Sequence, residues 1–110
     1  MKLNEADLFT MRKPENNLWK LIELFPDKNW DWYGISKNPN ITWEIVRDNP
    51  DKPWDWVCVS RSATWEIIRD NLDKPWNWSV ISGKTATWEI IQQFPDIPWN
   101  WYAISKNPNI

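Results

Sequence analysis

"PDKPWDWVCVSRSATWEIIRDN", residues Pro50 to Asn71, sets Trp54, Trp56 and Trp65 among prolines, capping residues and β-branched residues, and close variants of it recur along the chain. Aligning the tryptophans gives four copies, 18–41, 42–63, 64–86 and 87–110, of 24, 22, 23 and 24 residues. A period in this range marks an array of small structural units. The register is tighter than the lengths. Trp19, Trp43, Trp65 and Trp88 each precede Trp30, Trp54, Trp76 and Trp99 by 11 residues, and Trp32, Trp56, Trp78 and Trp101 follow two positions later.

A second column, Asn16, Asn40, Ser62, Thr85 and Asn109, consists of good helix N-caps. From each of the first four to the closing serine of its copy (Ser36, Ser60, Ser82, Ser105) is 20 residues, whereas the step to the next cap is 4, 2, 3 or 4. Length variation is confined to one connection, as expected of a loop between packed elements. The 20-residue block reads as two short helices. The first would begin at the cap column and run through "ITWEIVR", with Glu44, Glu66 and Glu89 near its positive end and a stop at Asn49-Pro50. The second would begin at Asp27, Asp51, Asp73 and Asp96, with proline in the first turn of three copies. A strand reading of "WDWVCVS" and "WNWYAIS" competes, because both alternate and are rich in β-formers. Hairpins favour Gly or Asn-Gly turns, and 2 glycines in the chain count against it. The expected fold is therefore all-α, a helical solenoid of about four two-helix copies. Residues 1–17 would cap it, with Asn4 starting "EADLFTM" and Asp7 at a capping-box position.

Helices of about two turns are unstable alone, and large rings offer one way to bury area between them. All twelve tryptophans are thus expected to be structural, packed against the row Leu21, Ile45, Ile67 and Ile90. Beside them run a small column, Gly34, Cys58, Val80 and Ala103, and a branched one, Ile35, Val59, Ile81 and Ile104. Asp27, Asp51, Asp73 and Asp96 are expected to be caps, since one carboxylate per copy does not converge on a cation.

"NPNITWEIVRDNPDKPWDW" resembles the tryptophan-rich repeats of arrays encoded by large DNA viruses of amoebae, over most of 16–110. More distantly, "ISKNPNITWEIV" is similar to the leucine-rich variant repeat, which implies alternating α and short 3₁₀-like helices. The viral resemblance implies residence in the host cytoplasm, and a single Cys58, in the small column, also points to a reducing compartment.

With 110 residues, a net charge of −2 and no His, the chain has no general field for nucleic acid or anionic lipid and lacks the commonest acid–base catalyst and metal ligand. No apolar run is long enough to cross a bilayer. The closing serines have no base to activate them and read as helix-ending hydrogen bonds, so no catalytic residue, metal site or cofactor is expected. Function is expected to be that of a protein-interaction scaffold or structural module. Changing exposed columns are its candidate surface: Tyr33, Val57, Ser79 and Tyr102, then Asp31, Asp55, Asn77 and Asn100. The competing reading is single-stranded nucleic-acid binding, in which the regularly spaced tryptophan rings are a stacking surface and the row Lys37, Arg61, Lys84 and Lys106 tracks the backbone. The apolar end of copy 4, with Trp99, Trp101, Tyr102, Ile104 and Ile110, suggests weak dimerisation across a two-fold axis.

Overall fold

A computed structural model describes residues 16–110, and all of the expected capping segment but its last two residues, Asn4 and Asp7 included, lies outside these. The described residues form eight short α-helices and no strand. They are α1 (Asn17–Leu24), α2 (Trp32–Lys37), α3 (Trp43–Asp48), α4 (Trp56–Ser62), α5 (Trp65–Arg69), α6 (Trp78–Lys84), α7 (Trp88–Gln93) and α8 (Trp101–Ser105). "WDWVCVS", the candidate strand, is helical from Trp56 onward. The second helix of each copy is α rather than 3₁₀.

Both expected helix starts are displaced, for reasons visible in the hydrogen bonds. In copies 2 to 4 the first helix starts at the threonine next to the tryptophan. Thr42, Thr64 and Thr87 accept through Oγ1 from the amides of Ile45, Ile67 and Ile90 at 3.3, 3.4 and 3.3 Å. Of the expected column, Asn16 alone caps its helix, accepting from the Trp19 amide at 3.0 Å. Leu18 stands there in place of the threonine and offers no oxygen, so α1 starts earlier. Ser62 instead closes α4, its hydroxyl donating to the Val59 carbonyl, and Thr85 follows the last residue of α6.

The second helices are capped by Asp31, Asp55, Asn77 and Asn100, whose side chains accept from the amides of Gly34, Cys58, Val80 and Ala103. The column of Asp27, Asp51, Asp73 and Asp96, expected to cap, lies four residues earlier. It occupies the third position of a tight turn, closed by Lys28, Lys52, Lys74 and Ile97 donating to the carbonyls of Phe25, Asn49, Asn71 and Phe94. Immediately afterwards the amides of Trp30, Trp54, Trp76 and Trp99 bond two residues back, a three-residue turn centred on Asn29, Pro53, Pro75 and Pro98. Proline suits that centre, its φ being fixed and its missing amide unneeded.

This double turn aims each indole back at the helix just ended. The Nε1–H groups of Trp30, Trp54, Trp76 and Trp99 donate to the carbonyls of Phe25, Asn49, Asn71 and Phe94 at 2.9, 2.8, 2.8 and 2.9 Å. A helix C-terminus leaves carbonyls without intrahelical partners, and the ring supplies one. Asn49 and Asn71 add a second closure, donating from Nδ2 to the Ile45 and Ile67 carbonyls.

The chain divides into two compact units, Met1–Trp30 and Asp31–Ile110. Within the second, α2 packs on α4, α4 on α6 and α6 on α8. The expected branched column forms that seam, with Ile35, Val59 and Ile81 buried. Of the first helices, the buried aliphatic residues are Ile22, Val46 and Ile68. The expected row sits one position earlier: Ile45, Ile67 and Ile90 are half-buried and Leu21 is exposed.

The tryptophans divide by column. Trp54, Trp76 and Trp99 are the buried ones, at 7%, 5% and 5% exposure. Each is held by rings of the copy before it. Trp76 stacks on Trp43 (centroids 5.4 Å apart, planes at 29°) and meets Trp56 edge-on at 5.2 Å. Trp99 lies against Trp65 at 6.1 Å and Trp78 at 5.7 Å, and Trp32 meets Trp54 edge-on at 5.2 Å. Offset and edge-on pairs of this kind each add about 0.5–1.5 kcal/mol beyond the area they bury.

The closing serines are the other tie between copies. Ser36, Ser60 and Ser82 are buried, and their hydroxyl oxygens accept from the amides of Asp55, Asn77 and Asn100 at 2.8, 2.8 and 2.9 Å. They join the end of one second helix to the start of the next, instead of ending their own helix as expected. Ser105 behaves as expected, donating to the Trp101 carbonyl in its own helix.

Candidate interaction surface

The outward stripe of the second helices brings the expected surface residues together. Tyr33 and Lys37 are four apart on α2, hence on one face, and the Lys37 ammonium lies 5.0 Å from the Tyr33 ring centre. Tyr102 and Lys106 repeat the pair at 4.2 Å. Such cation–π contacts hold the lysine over the ring face. On α4 the equivalent residues are Val57 and Arg61, and on α6 they are Ser79 and Gly83, with Lys84 one residue further on. Because α2, α4 and α6 pack in succession, Tyr33, Lys37, Cys58, Arg61, Ser62 and Lys84 line one shallow cleft of about 240 Å³. Lys84 crosses it and donates to the Arg61 carbonyl.

Charge is sorted on this surface. Among the described residues the ion pairs join sequence neighbours elsewhere: Arg47–Asp48, Lys52–Asp51, Arg69–Asp70 and Lys74–Asp73. Lys37, Arg61, Lys84 and Lys106 take part in none of them. The Arg47 guanidinium bonds the Asp48 carboxylate and holds it below the usual carboxylate range, while Arg47 itself is raised. The other expected recognition column, Asp31, Asp55, Asn77 and Asn100, is spent on capping, although Asn100 also donates to the Ser79 hydroxyl at 2.8 Å.

Beneath the cleft, Cys58 is buried and unpaired with another cysteine. Burial pushes its thiol upward from the ordinary value, with the Asp55 carboxylate adding to the rise, which keeps it protonated and unreactive. Among the described residues no three His, Cys, Asp or Glu side chains come together as metal ligands, and no helix is long and apolar enough to cross a membrane.

One set of contacts escaped the sequence reading. Asn107 is buried, and its Nδ2 donates to the carbonyls of Ser82 and Ala86 at 2.8 and 2.9 Å. Asn109 donates to the Lys84 carbonyl at 2.8 Å. The "NPN" connection of copy 4 is therefore stapled onto the connection of copy 3. Asn107 shares its place in "SKNPN" with Asn38, the one available clue that the segment has a side-chain role beyond turning.

Comparison with protein-family models, curated proteins and solved structures finds no match to this chain.

Proposed function

We propose that residues 31–110 are a short helical solenoid and that the protein is a non-catalytic interaction scaffold, whose docking surface is the Tyr33–Lys106 stripe of α2, α4, α6 and α8. The observation that carries this is the set of four cations without ionic partners among the described residues, two of them seated on exposed tyrosines. The partner this chemistry fits is an acidic, extended protein segment, its carboxylates meeting Lys37, Arg61 and Lys84 and its apolar side chains meeting Tyr33 and Val57. Electrostatic matching of this kind chiefly sets encounter rate and selectivity. The non-catalytic part is supported by the hydrogen bonds: Ser36, Ser60, Ser82 and Ser105 all engage backbone groups. Residence in the cytoplasm, host cytoplasm if the viral resemblance is real kinship, belongs to the same reading and is supported by the lone buried thiol.

Fluorescence anisotropy with a labelled Asp/Glu-rich peptide at low salt tests it. The wild-type chain is expected to bind, and Lys37→Glu combined with Arg61→Glu and Lys84→Glu is expected to abolish binding without altering the circular dichroism. Binding unchanged by the triple reversal overturns it. Single-stranded nucleic acid is the second reading, favoured by the exposed rings beside the same cations. It predicts retention on heparin and oligonucleotide affinity that falls steeply and log-linearly with salt. Oligonucleotide binding with no peptide binding replaces the first reading by the second.

A further inference from the structure

Two of the junctions between copies are stapled where their connections meet, and the staple comes from the second residue after a closing serine. Asn107, two residues after Ser105, donates from Nδ2 to the carbonyls of Ser82 and Ala86 at 2.8 and 2.9 Å. Lys84, two residues after Ser82, donates to the Arg61 carbonyl. In copy 2 that place belongs to Ser62, whose short side chain turns back to the Val59 carbonyl of its own helix. The facing connections are also least matched here. Lys37–Ile41 of copy 1 meets Arg61–Ala63 of copy 2, five residues against three.

A cavity of about 320 Å³ lies at this junction, with Ser36, Ile41, Trp43, Ser62, Ala63 and Ile67 in its walls. Every residue lining it belongs to the Asp31–Ile110 unit. The volume is at the lower end of ligand pockets, which span about 300–1,000 Å³ and are mostly apolar with a few placed polar groups. Ser36 and Ile41 are the counterparts of Ser82 and Ala86, being the closing serine and the residue before the capping threonine. Among the described residues no N–H or O–H donates to the Ser36 or Ile41 carbonyl. Ser36 is buried, and an acceptor in such a place gains most from a donor. The apolar wall is made by half-buried Ile41, Trp43, Ala63 and Ile67 over buried Val46 and Val59.

We propose that this cavity binds a small neutral molecule carrying a primary amide on an apolar body. The amide nitrogen donates to the Ser36 and Ile41 carbonyls as Asn107 donates to those of Ser82 and Ala86, and the body lies against Trp43 and Ile67. Lys37 and Asn38 also line the cavity and can donate to the ligand's amide oxygen, the Asn38 Oδ1 being already engaged by the Asn40 amide. An ammonium group supplies the same hydrogens but lies beside the Lys37 cation, and like charges repel. A carboxylate brings no hydrogen for either carbonyl. The cavity shares Lys37 and Ser62 with the basic cleft but recognises its ligand through backbone carbonyls. Amide binding and acidic-peptide binding therefore fail separately.

Titration of the isotopically labelled 110-residue chain with benzamide, followed by amide and indole N–H correlation spectra, tests it. Benzamide is expected to shift the Trp43 indole signal and the Ala63 and Ile67 amide signals, saturably in the millimolar range. N,N-dimethylbenzamide keeps the ring and loses both N–H groups, and is expected to bind about tenfold or more weakly. Ser62→Asn places the Asn107 side chain at the same point of copy 2. It is expected to occupy the two carbonyls from within, to weaken benzamide binding by about tenfold or more, and to leave the melting temperature at or above that of the wild type. Ala63→Leu narrows the cavity without touching its carbonyls and is expected to weaken benzamide as well. Arg61→Glu combined with Lys84→Glu is expected to leave benzamide binding unchanged, which sets this site apart from the docking stripe. Spectra unmoved by benzamide, equal affinity for the dimethyl compound, or benzamide binding indifferent to Ser62→Asn and Ala63→Leu alike each overturns the proposal.

Discussion

Replacing Ser60 by alanine removes one hydroxyl oxygen and leaves the Asn77 amide facing a buried methyl group. Ser60 is 0% exposed and accepts that amide at 2.8 Å. A buried donor left without an acceptor costs about 1–3 kcal/mol. Alanine returns a few tenths through its better helix propensity, Ser60 being inside α4, so the net loss is about 1–2 kcal/mol. Ser105→Ala is the internal control. It closes the corresponding block of copy 4, but its side chain is exposed and bonded within α8, and the expected change is within about 0.5 kcal/mol. Urea unfolding followed by tryptophan fluorescence measures both; a shift in midpoint at constant slope reports stability alone. At about 4–8 °C per kcal/mol for a small domain, the Ser60 variant also melts visibly earlier. Equal effects of the two substitutions would refute the assignment of the serines as ties between copies.

Trp54→Ala is expected to lose about 3–5 kcal/mol, as buried aromatic truncations do, and thermal melting checks this. Gly83→Ala is expected to gain about 0.4–1 kcal/mol: Gly83 sits inside α6, and an added Cβ meets the Ala103 methyl at 3.7 Å, an ordinary contact. A loss of stability by urea unfolding contradicts that geometry. Cys58 carries a raised thiol pKa, so its contribution is complete below the unfolded-state value and declines as pH rises through the folded one. Stability measured across mildly alkaline pH is expected to fall less in Cys58→Ala than in the wild type, and a disulfide reagent is expected to titrate Cys58 only after unfolding.

The helices were legible because prolines, capping residues and an unvarying 11-residue tryptophan step all agreed. The helix starts were not. Asn40 and Thr42, or Asp51 and Asp55, are equally good caps on paper. Between Asp51 and Asp55 the later one is selected by the double turn, which has to bring Trp54 back within reach of the Asn49 carbonyl. The aliphatic row was misplaced by one residue for a related reason: a helix of five or six residues such as α3 or α5 is too short for a 3.6-residue period to distinguish Ile45 from Val46. The candidate surface was legible as a list of changing columns, but its sorting of charge was not. Asp55 and Lys37 read alike as surface charge, and only the capping bond of one and the tyrosine under the other separate them.

Tryptophans of one copy hold a tryptophan of the next, and a double-mutant cycle on Trp56 and Trp76 measures this directly. The rings are 5.2 Å apart at 88° and belong to consecutive copies. Unfolding free energies of Trp56→Leu, Trp76→Leu and the double variant are expected to show a coupling of about 0.5–1.5 kcal/mol or more. Trp56 paired with Trp99, two copies further on, is expected to add within about 0.5 kcal/mol. Strict additivity for Trp56 and Trp76, equal to that of the distant pair, would contradict the account.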